Sequence, residues 1–116
     1  MEDCIFCKIV SGEIKSDFIY EDDDIVAFLD ISPKAPVHVL IIPKEHINAV
    51  YDLGSSQEKI LGKIHLAAQK IAGRKGIRES GYRLICNNGK DAGQEVEHLH
   101  WHLLGGKNLG GLIEKS

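Results

Sequence analysis

Val96-Glu97-His98-Leu99-His100-Trp101-His102-Leu103-Leu104 alternates polar with apolar residues through most of its length. That two-residue period belongs to a β-strand, because a helix would scatter the same side chains around its axis. In a strand, His98, His100 and His102 project from one face, and Leu99, Trp101 and Leu103 from the other. Rings on one face are rooted about 6.5–7 Å apart, close enough to surround one small anion or metal ion. The apolar set anchors the strand against a core or a partner subunit. The histidine set needs another reason, since the chain holds only 6 histidines among 116 residues. A surface strand polar by accident is one alternative. A metal site built from all three rings is the other, because imidazole is the commonest metal ligand.

The segment before this strand bears on that choice. Asn88-Gly89-Lys90-Asp91-Ala92-Gly93-Gln94 is a polar loop whose glycines let backbone N–H groups approach an anion closely. Asn87 and Gln94 flank it and supply neutral donors suited to phosphoryl oxygens or a leaving group. A glycine loop alone is weak evidence. One that runs directly into a histidine strand favours phosphate chemistry over a three-histidine metal centre.

Further out, Tyr82 to Asn87 reads as a strand. Phe18 to Glu21 and Ile25 to Asp30 read as two more, joined at the solvated turn Asp22-Asp23-Asp24. Ile31-Ser32-Pro33-Lys34-Ala35-Pro36 is a loop, because its prolines deny ladder donors. Val37 to Ile42 forms an apolar strand stopped at Pro43. Ser55-Ser56-Gln57-Glu58 opens a helix in capping style, and Ile60, Leu61, Ile64, Ala67, Ala68 and Ile71 follow at helical spacing up to Gly73. His65 falls off that stripe, toward solvent. One long helix and about five short strands indicate an α+β fold with a mainly antiparallel sheet.

The composition (43% hydrophobic, 27% charged) suits one globular domain over residues 1–116. A net charge of −3 gives no footprint for a nucleic-acid partner, which needs clustered Lys and Arg. The densest basic stretch, Gly73 to Arg78, solvates a helix end. No apolar run nears the roughly 20 residues that cross a bilayer, so no membrane partner is expected. Met1-Glu2-Asp3-Cys4 lacks the basic start and apolar core of a secretory signal, which points to the cytoplasm. Three cysteines are an odd number and argue against a disulfide framework. Cys4-Ile5-Phe6-Cys7 has the spacing of half a zinc site, with redox chemistry or two small buried thiols as the other readings. A redox pair would normally follow a strand, and nothing upstream supplies one. Cys86 reads as a core residue beside Ile85.

Gly93-Gln94-Glu95-Val96-Glu97-His98-Leu99-His100-Trp101-His102-Leu103-Leu104 resembles the His-x-His-x-His signature of the histidine triad (HIT) family, in its nucleotide-binding phosphoramidase branch. The resemblance extends to Ile5-Phe6-Cys7-Lys8-Ile9, Asp30-Ile31-Ser32-Pro33, Ala35-Pro36-Val37-His38, Ile42-Pro43-Lys44-Glu45-His46 and Gly81-Tyr82-Arg83. It implies an α+β homodimer. Each subunit has a five-stranded antiparallel sheet, one long helix and a short N-terminal helix, and the sheet continues across the dimer. It further implies that His100 attacks the α-phosphorus of a purine nucleotide conjugate (AMP or GMP joined to an amine or another leaving group). A nucleotidyl-histidine intermediate forms and is hydrolysed without a catalytic metal. His38 and His102 would contact phosphoryl oxygens, assisted by Asn87 and Gln94. The nucleotide would be held by Phe28, Asp30, Ile31, Asn87, Gly93, Gln94, Glu95, Val96, His100 and His102, with Asp30 accepting from ribose hydroxyls. Relatives with the cysteine pair hold a structural zinc with two histidines, which by position are His46 and His98, completing Cys4 and Cys7. That set would divide the triplet into one structural and two catalytic rings.

Three departures stand out. The members best known for phosphoramidase work carry a small hydroxyl residue where this chain has Glu95, whose carboxylate accepts rather than donates. Its backbone N–H is what remains for phosphate. Trp101 is bulkier than the aliphatic residue expected there, and the tail from Asn108 to Ser116 differs from related forms. Other functions compatible with the residues are a dinucleoside polyphosphate hydrolase, a nucleotide-binding regulatory module, and a metal-dependent hydrolase. The short Gly105-Gly106 ending suits the phosphoramidase branch better than the first of these.

Overall fold

Runs of branched and aromatic residues bounded by Pro, Gly and Asp produce five strands: β1 (Phe18–Glu21), β2 (Ile25–Leu29), β3 (Val37–Pro43), β4 (Tyr82–Cys86) and β5 (Trp101–Gly105). A computed structural model describes residues 3–113. All strand pairs are antiparallel, in the order β1-β2-β3-β5-β4. A short helix, α1 (Ile5–Ser11), precedes the sheet, and the long helix α2 (Glu58–Arg74) lies between β3 and β4 in sequence. The expected α+β architecture is therefore present.

The β1–β2 turn is built as its acidic composition suggests. Asp22 Oδ1 accepts from the backbone N–H of Asp24 and Ile25 at 2.7 and 2.9 Å, closing a local turn through its own side chain. Helix α2 is preceded by a 3-10 turn over Ser55–Gln57, in which Gln57 Oε1 accepts from Gly54 N at 2.8 Å. The apolar stripe of α2 (Ile60, Ile64, Ala67, Ala68 and Ile71) packs on Ile25, Ala27, Val39, Ile41, Leu99, Trp101 and Leu103. Each fully buried isoleucine there contributes roughly 1.5–3 kcal/mol relative to exposure. Cys86 packs half-buried against this layer, and His65 is exposed on the outer side of α2. No helix among the described residues is long and apolar enough to cross a membrane.

The opposite face of the sheet is covered less completely. Phe6 and Ile9 of α1 pack on Val26, Phe28, Leu40 and Ile42. Helix α1 has only 7 residues, so it reaches part of that face and leaves the β3–β5 end open. Alternation along β3 sends Val39 and Ile41 toward α2, and His38, Leu40 and Ile42 toward the α1 side. Leu40 pairs directly with His102, which makes His38 a diagonal neighbour of His102 on the same face.

The largest boundary difference from the sequence expectation is at the last strand. The last strand begins at Trp101 rather than Val96, and the β3–β5 ladder ends at Ile41 and Trp101. The cause is local hydrogen bonding. Leu99 N donates to Ile47 O at 2.6 Å, which is not a ladder partner, and the His98 ring bonds to Pro43 O. The residues just before Trp101 are pulled out of the regular strand. Asp30 and Asn87 likewise fall one residue beyond β2 and β4, whereas Pro43 closes β3 opposite Ile25.

Candidate active site

The alternation of side chains survives this bend. Leu99, Trp101 and Leu103 enter the core beneath α2, and the three histidine rings go to the other face. There they separate into two groups, with the Phe6 ring edge-on to both His98 (5.8 Å) and His100 (5.2 Å).

The first group gathers Cys4, Cys7, His46 and His98, whose ligand atoms all lie within 4.8 Å of one another. Cys4 caps α1 and accepts from Cys7 N at 3.3 Å, so the helix start brings the two sulfurs together. His98 Nδ1 is 3.3 Å from Cys4 Sγ and 3.6 Å from Cys7 Sγ, and His46 Nδ1 is 3.2 Å from Cys7 Sγ. Both imidazoles have their other nitrogen engaged: His98 Nε2–H donates to Pro43 O (2.8 Å), and His46 Nε2–H donates to Asn48 Oδ1 (2.9 Å). The Nδ1 lone pairs therefore face the sulfurs. Zinc–sulfur bonds of about 2.3 Å and zinc–nitrogen bonds of about 2.0 Å space tetrahedral neighbours about 3.3–3.8 Å apart. The separations here match that scale, and outer hydrogen bonds orient the rings as zinc sites require. The residues fit the metal. Burial, and then the adjoining Cys4, raise the Cys7 thiol above its usual value, so loading a cation would release protons.

The second group lines a cleft of about 250 Å3 with His38, His100, His102, Asn87, Gly93, Glu95 and Val96. Larger, shallower hollows of about 650 and 730 Å3 lie beside Cys4 and beside Tyr82. The convergence of three imidazoles, not size, marks the smaller cleft. His100 Nδ1–H donates to His98 O at 2.8 Å, which fixes the tautomer and leaves the Nε2 lone pair as its reactive nitrogen. The Lys34 backbone N–H donates to His38 Nδ1 at 3.0 Å, so His38 carries its proton on Nε2. That Nε2–H points to His102 Nδ1 at 2.9 Å, with Asp30 Oδ2 at 3.4 Å. His102 is thereby left with Nε2–H as its donor. A chain of directed bonds thus sets one acceptor nitrogen beside one donor nitrogen, with the His100 and His102 rings 5.1 Å apart.

Electrostatics keeps His102 and His38 neutral. Burial first, and then the charges of His100 and His38, push His102 down to about 4. Burial also lowers His38, against the opposing pull of Asp30. At neutral pH an anion at His38 or His102 meets imidazole rather than imidazolium. Gly93 adds backbone: its φ of +83° is a left-handed turn that an L side chain rarely adopts.

Several sequence-derived residues lie outside the lining of this cleft. His98 is turned away from the cleft, so the three rings of the triplet do not share one pocket, and a metal centre made of all three has no geometric basis. Phe28 is buried against Phe6 with ring centroids 5.8 Å apart, and Ile31 is 96% exposed beyond β2. Asp30 stands beside His38, while its Oδ1 accepts from Ser32 N at 2.7 Å. Gln94 sits behind the loop: its Oε1 accepts from Gly89 N at 2.8 Å, and its Nε2 donates to the carbonyls of Asn48 and Val96. It braces the glycine loop from outside. Lys34, Leu40, Ile85 and Leu104 also line the cleft and were not anticipated. Leu40 and Leu104 were accessible to the alternation rule, two residues beyond His38 and His102. Ile85 required the strand order, and Lys34 had no distinguishing signal.

The sequence profile of the HIT domain matches residues 11–109. A protein from Escherichia coli K12 named purine nucleoside phosphoramidase is 51% identical over 112 residues, covering 97% of this chain and 94% of that one. Among solved structures, a HIT family hydrolase from Clostridium thermocellum superposes with a TM-score of 0.94 at 54% identity, covering 98% of this chain and 99% of that one. A histidine triad protein from Clostridium difficile gives 0.93 at 47% identity, covering 97% and 98%.

Proposed function

Because the chain belongs to the HIT family, we propose that it is a purine nucleoside phosphoramidase acting through a nucleotidyl-His100 intermediate. One observation carries the reading: His100 Nδ1–H is tied to His98 O, so Nε2 stands with its lone pair beside the His102 donor in the cleft. That nitrogen attacks the α-phosphorus of a purine nucleoside 5'-phosphoramidate. The P–N bond to the leaving amine breaks, and the amine departs with the bonding pair and takes a proton from solvent at the open mouth. His100 is then a phosphorylated imidazolium, and its Nδ1–H donation to His98 O stabilises that positive charge. Water next attacks phosphorus and loses a proton to solvent as the P–Nε2 bond breaks, its electron pair returning to the ring, so that the nucleoside monophosphate leaves and neutral His100 is restored.

His102 Nε2–H and the backbone N–H groups near Gly93 and Glu95 stabilise the phosphoryl oxygens as charge redistributes. His38 holds His102 in its donor tautomer, and Asn87 contributes a neutral amide. Gln94 supports the loop from behind. Asp30 meets the ribose hydroxyls, flanked by Phe28 and Ile31.

Cys4, Cys7, His46 and His98 form a structural zinc site, supported by the converging sulfur and Nδ1 atoms. The metal would tie α1 to the strand that carries His100. Free thiols used in this way suit a reducing compartment such as the cytoplasm. The working unit is a homodimer with the sheet continued across it. Support comes from β4, an outermost strand, and from Leu66 on α2 and Tyr82 on β4, which are 60% and 38% exposed. Light scattering at micromolar concentration gives a dimer mass if this is right and a monomer mass if it is not.

A panel of adenosine and guanosine phosphoramidates and dinucleoside polyphosphates tests the reaction, with His100→Asn as control. The proposal expects turnover of the phosphoramidates, none by the variant, and retained nucleotide affinity in the variant. Preferential cleavage of dinucleoside polyphosphates would assign the chain to that reaction instead.

A further inference from the structure

Two side chains in the lining of the cleft, Lys34 and Glu95, carry formal charge, and Asp30 stands just outside the lining against His38. Lys34 stands at the His38 end. Its backbone N–H bonds to His38 Nδ1, its ammonium is held by Ser32 O at 2.9 Å, and its charge opposes protonation of His38. Glu95 belongs to the His102 side, where its charge acts in the opposite sense and favours the protonated ring. It is exposed at the rim, and none of the ion pairs among the described residues involves it. Between them lie imidazoles, the Asn87 amide and aliphatic side chains, and Asp30 faces His38, so the His38 end carries charge of both signs whereas the rim at Glu95 carries a carboxylate alone.

In-line displacement at phosphorus places the leaving group opposite the attacking nitrogen, so it must depart away from His100 and toward the mouth. With the nucleoside taken to the Asp30 and His38 side, a group leaving past His102 meets Glu95 at the exposed rim. From this arrangement we infer that Glu95 is a specificity-determining residue: it favours phosphoramidates whose leaving amine carries a second ammonium group on an alkyl chain, and disfavours those carrying a carboxylate. This rests on the phosphoramidase reading and adds the chemical class of the amine. Glu95 acts on the departing chain, whereas Lys34 faces the part of the substrate common to all such compounds.

Three adenosine 5'-phosphoramidates, made from 1,4-diaminobutane, butylamine and 4-aminobutanoate, present a cationic, a neutral and an anionic tail of similar length. Their kcat/KM values are compared in the wild-type protein at low ionic strength, and their affinities in His100→Asn. The expected order is cationic, neutral, anionic, with about a tenfold span at rim-like screening, shrinking as salt is added. Glu95→Gln should bring the ratio of the first to the last close to one, and Glu95→Lys should invert it. Lys34→Gln should shift all three compounds together and leave the ratio in place. Using ratios within each protein removes any general loss of activity. A ratio near one in the wild-type protein, or one that survives Glu95→Gln, overturns the inference. Equal turnover of all three compounds would sink charge selection while leaving phosphoramidase activity standing. Charge-ordered affinities without turnover of any compound would do the reverse.

Discussion

His98 and His100 are two residues apart, project from the same face and are both buried, yet their surroundings give their rings different work. Around His98 both nitrogens are engaged: Nε2 donates to Pro43 O, and Nδ1 faces the sulfurs of Cys4 and Cys7. Around His100 one nitrogen is engaged, by His98 O, and the other is left to the cleft. The first environment is closed by α1, and the second lies where α1 runs out. Ring chemistry is the same in both. On the proposed reading, the partner on the far nitrogen and the wall in front of the near one decide between ligand and nucleophile.

The largest expected effect breaks the comparison on the cleft side. His100→Asn should lower kcat by about 10^4-fold or more while moving Tm by only a few degrees, since the loss falls on a bond made only in the reaction. Steady-state kinetics and a melting curve on one preparation decide this. A variant that keeps a tenth of wild-type turnover would refute the role. Cys4→Ala probes the closed side and should do the converse. Bound zinc, measured by atomic absorption, should drop from about one per chain, with a stability loss of about 3 kcal/mol or more. Turnover of the folded fraction should stay within about threefold. Near-zero turnover in a fully folded Cys4→Ala protein would contradict the division of labour.

A pH series sharpens the contrast at the next scale. His102 titrates near 6.5 when unfolded and at about 4 when folded, because burial and its imidazole neighbours disfavour the cation. Between those values the unfolded chain binds more protons. Stability from this group is therefore full above pH 6.5, declines as pH falls, and is lost by about pH 4. The total is about 3 kcal/mol at most. Urea denaturation of wild type and His102→Asn at pH 7, 5.5 and 4.5 should show a steeper acid decline in the wild type, and parallel declines would rule this out. The smallest effect belongs to Gln94→Ala, which removes the brace on Gly89 and should cost about 1–2 kcal/mol while raising KM more than it lowers kcat. An unchanged KM would mean that the loop holds its shape without it.

The central stretch was legible because alternation is a local property. Knowing that Leu99, Trp101 and Leu103 face one way fixes where the histidines point, even though the chain leaves the regular strand before Trp101. The departure itself was hidden. It arises from the bond of Leu99 to Ile47 and the bond of His98 to Pro43, both between segments far apart in sequence. The same reason kept Ile85 out of the anticipated cleft, since only the order β3-β5-β4 brings it beside His102. Gln94 shows a subtler limit. Its donor capacity was readable from its type, but the acceptors it finds, Asn48 O and Val96 O, lie behind the loop rather than in front. The cysteine pair announced a possible metal site, and its helix-capping geometry became visible only with α1 in place.

The account stands most directly on which atom bonds to phosphorus. Rapid quenching of the wild-type protein with an adenosine phosphoramidate, followed by peptide mass spectrometry, should find an AMP adduct on His100, acid-labile and absent from His100→Asn. An adduct on another residue, or turnover with no adduct at any quench time, would contradict it.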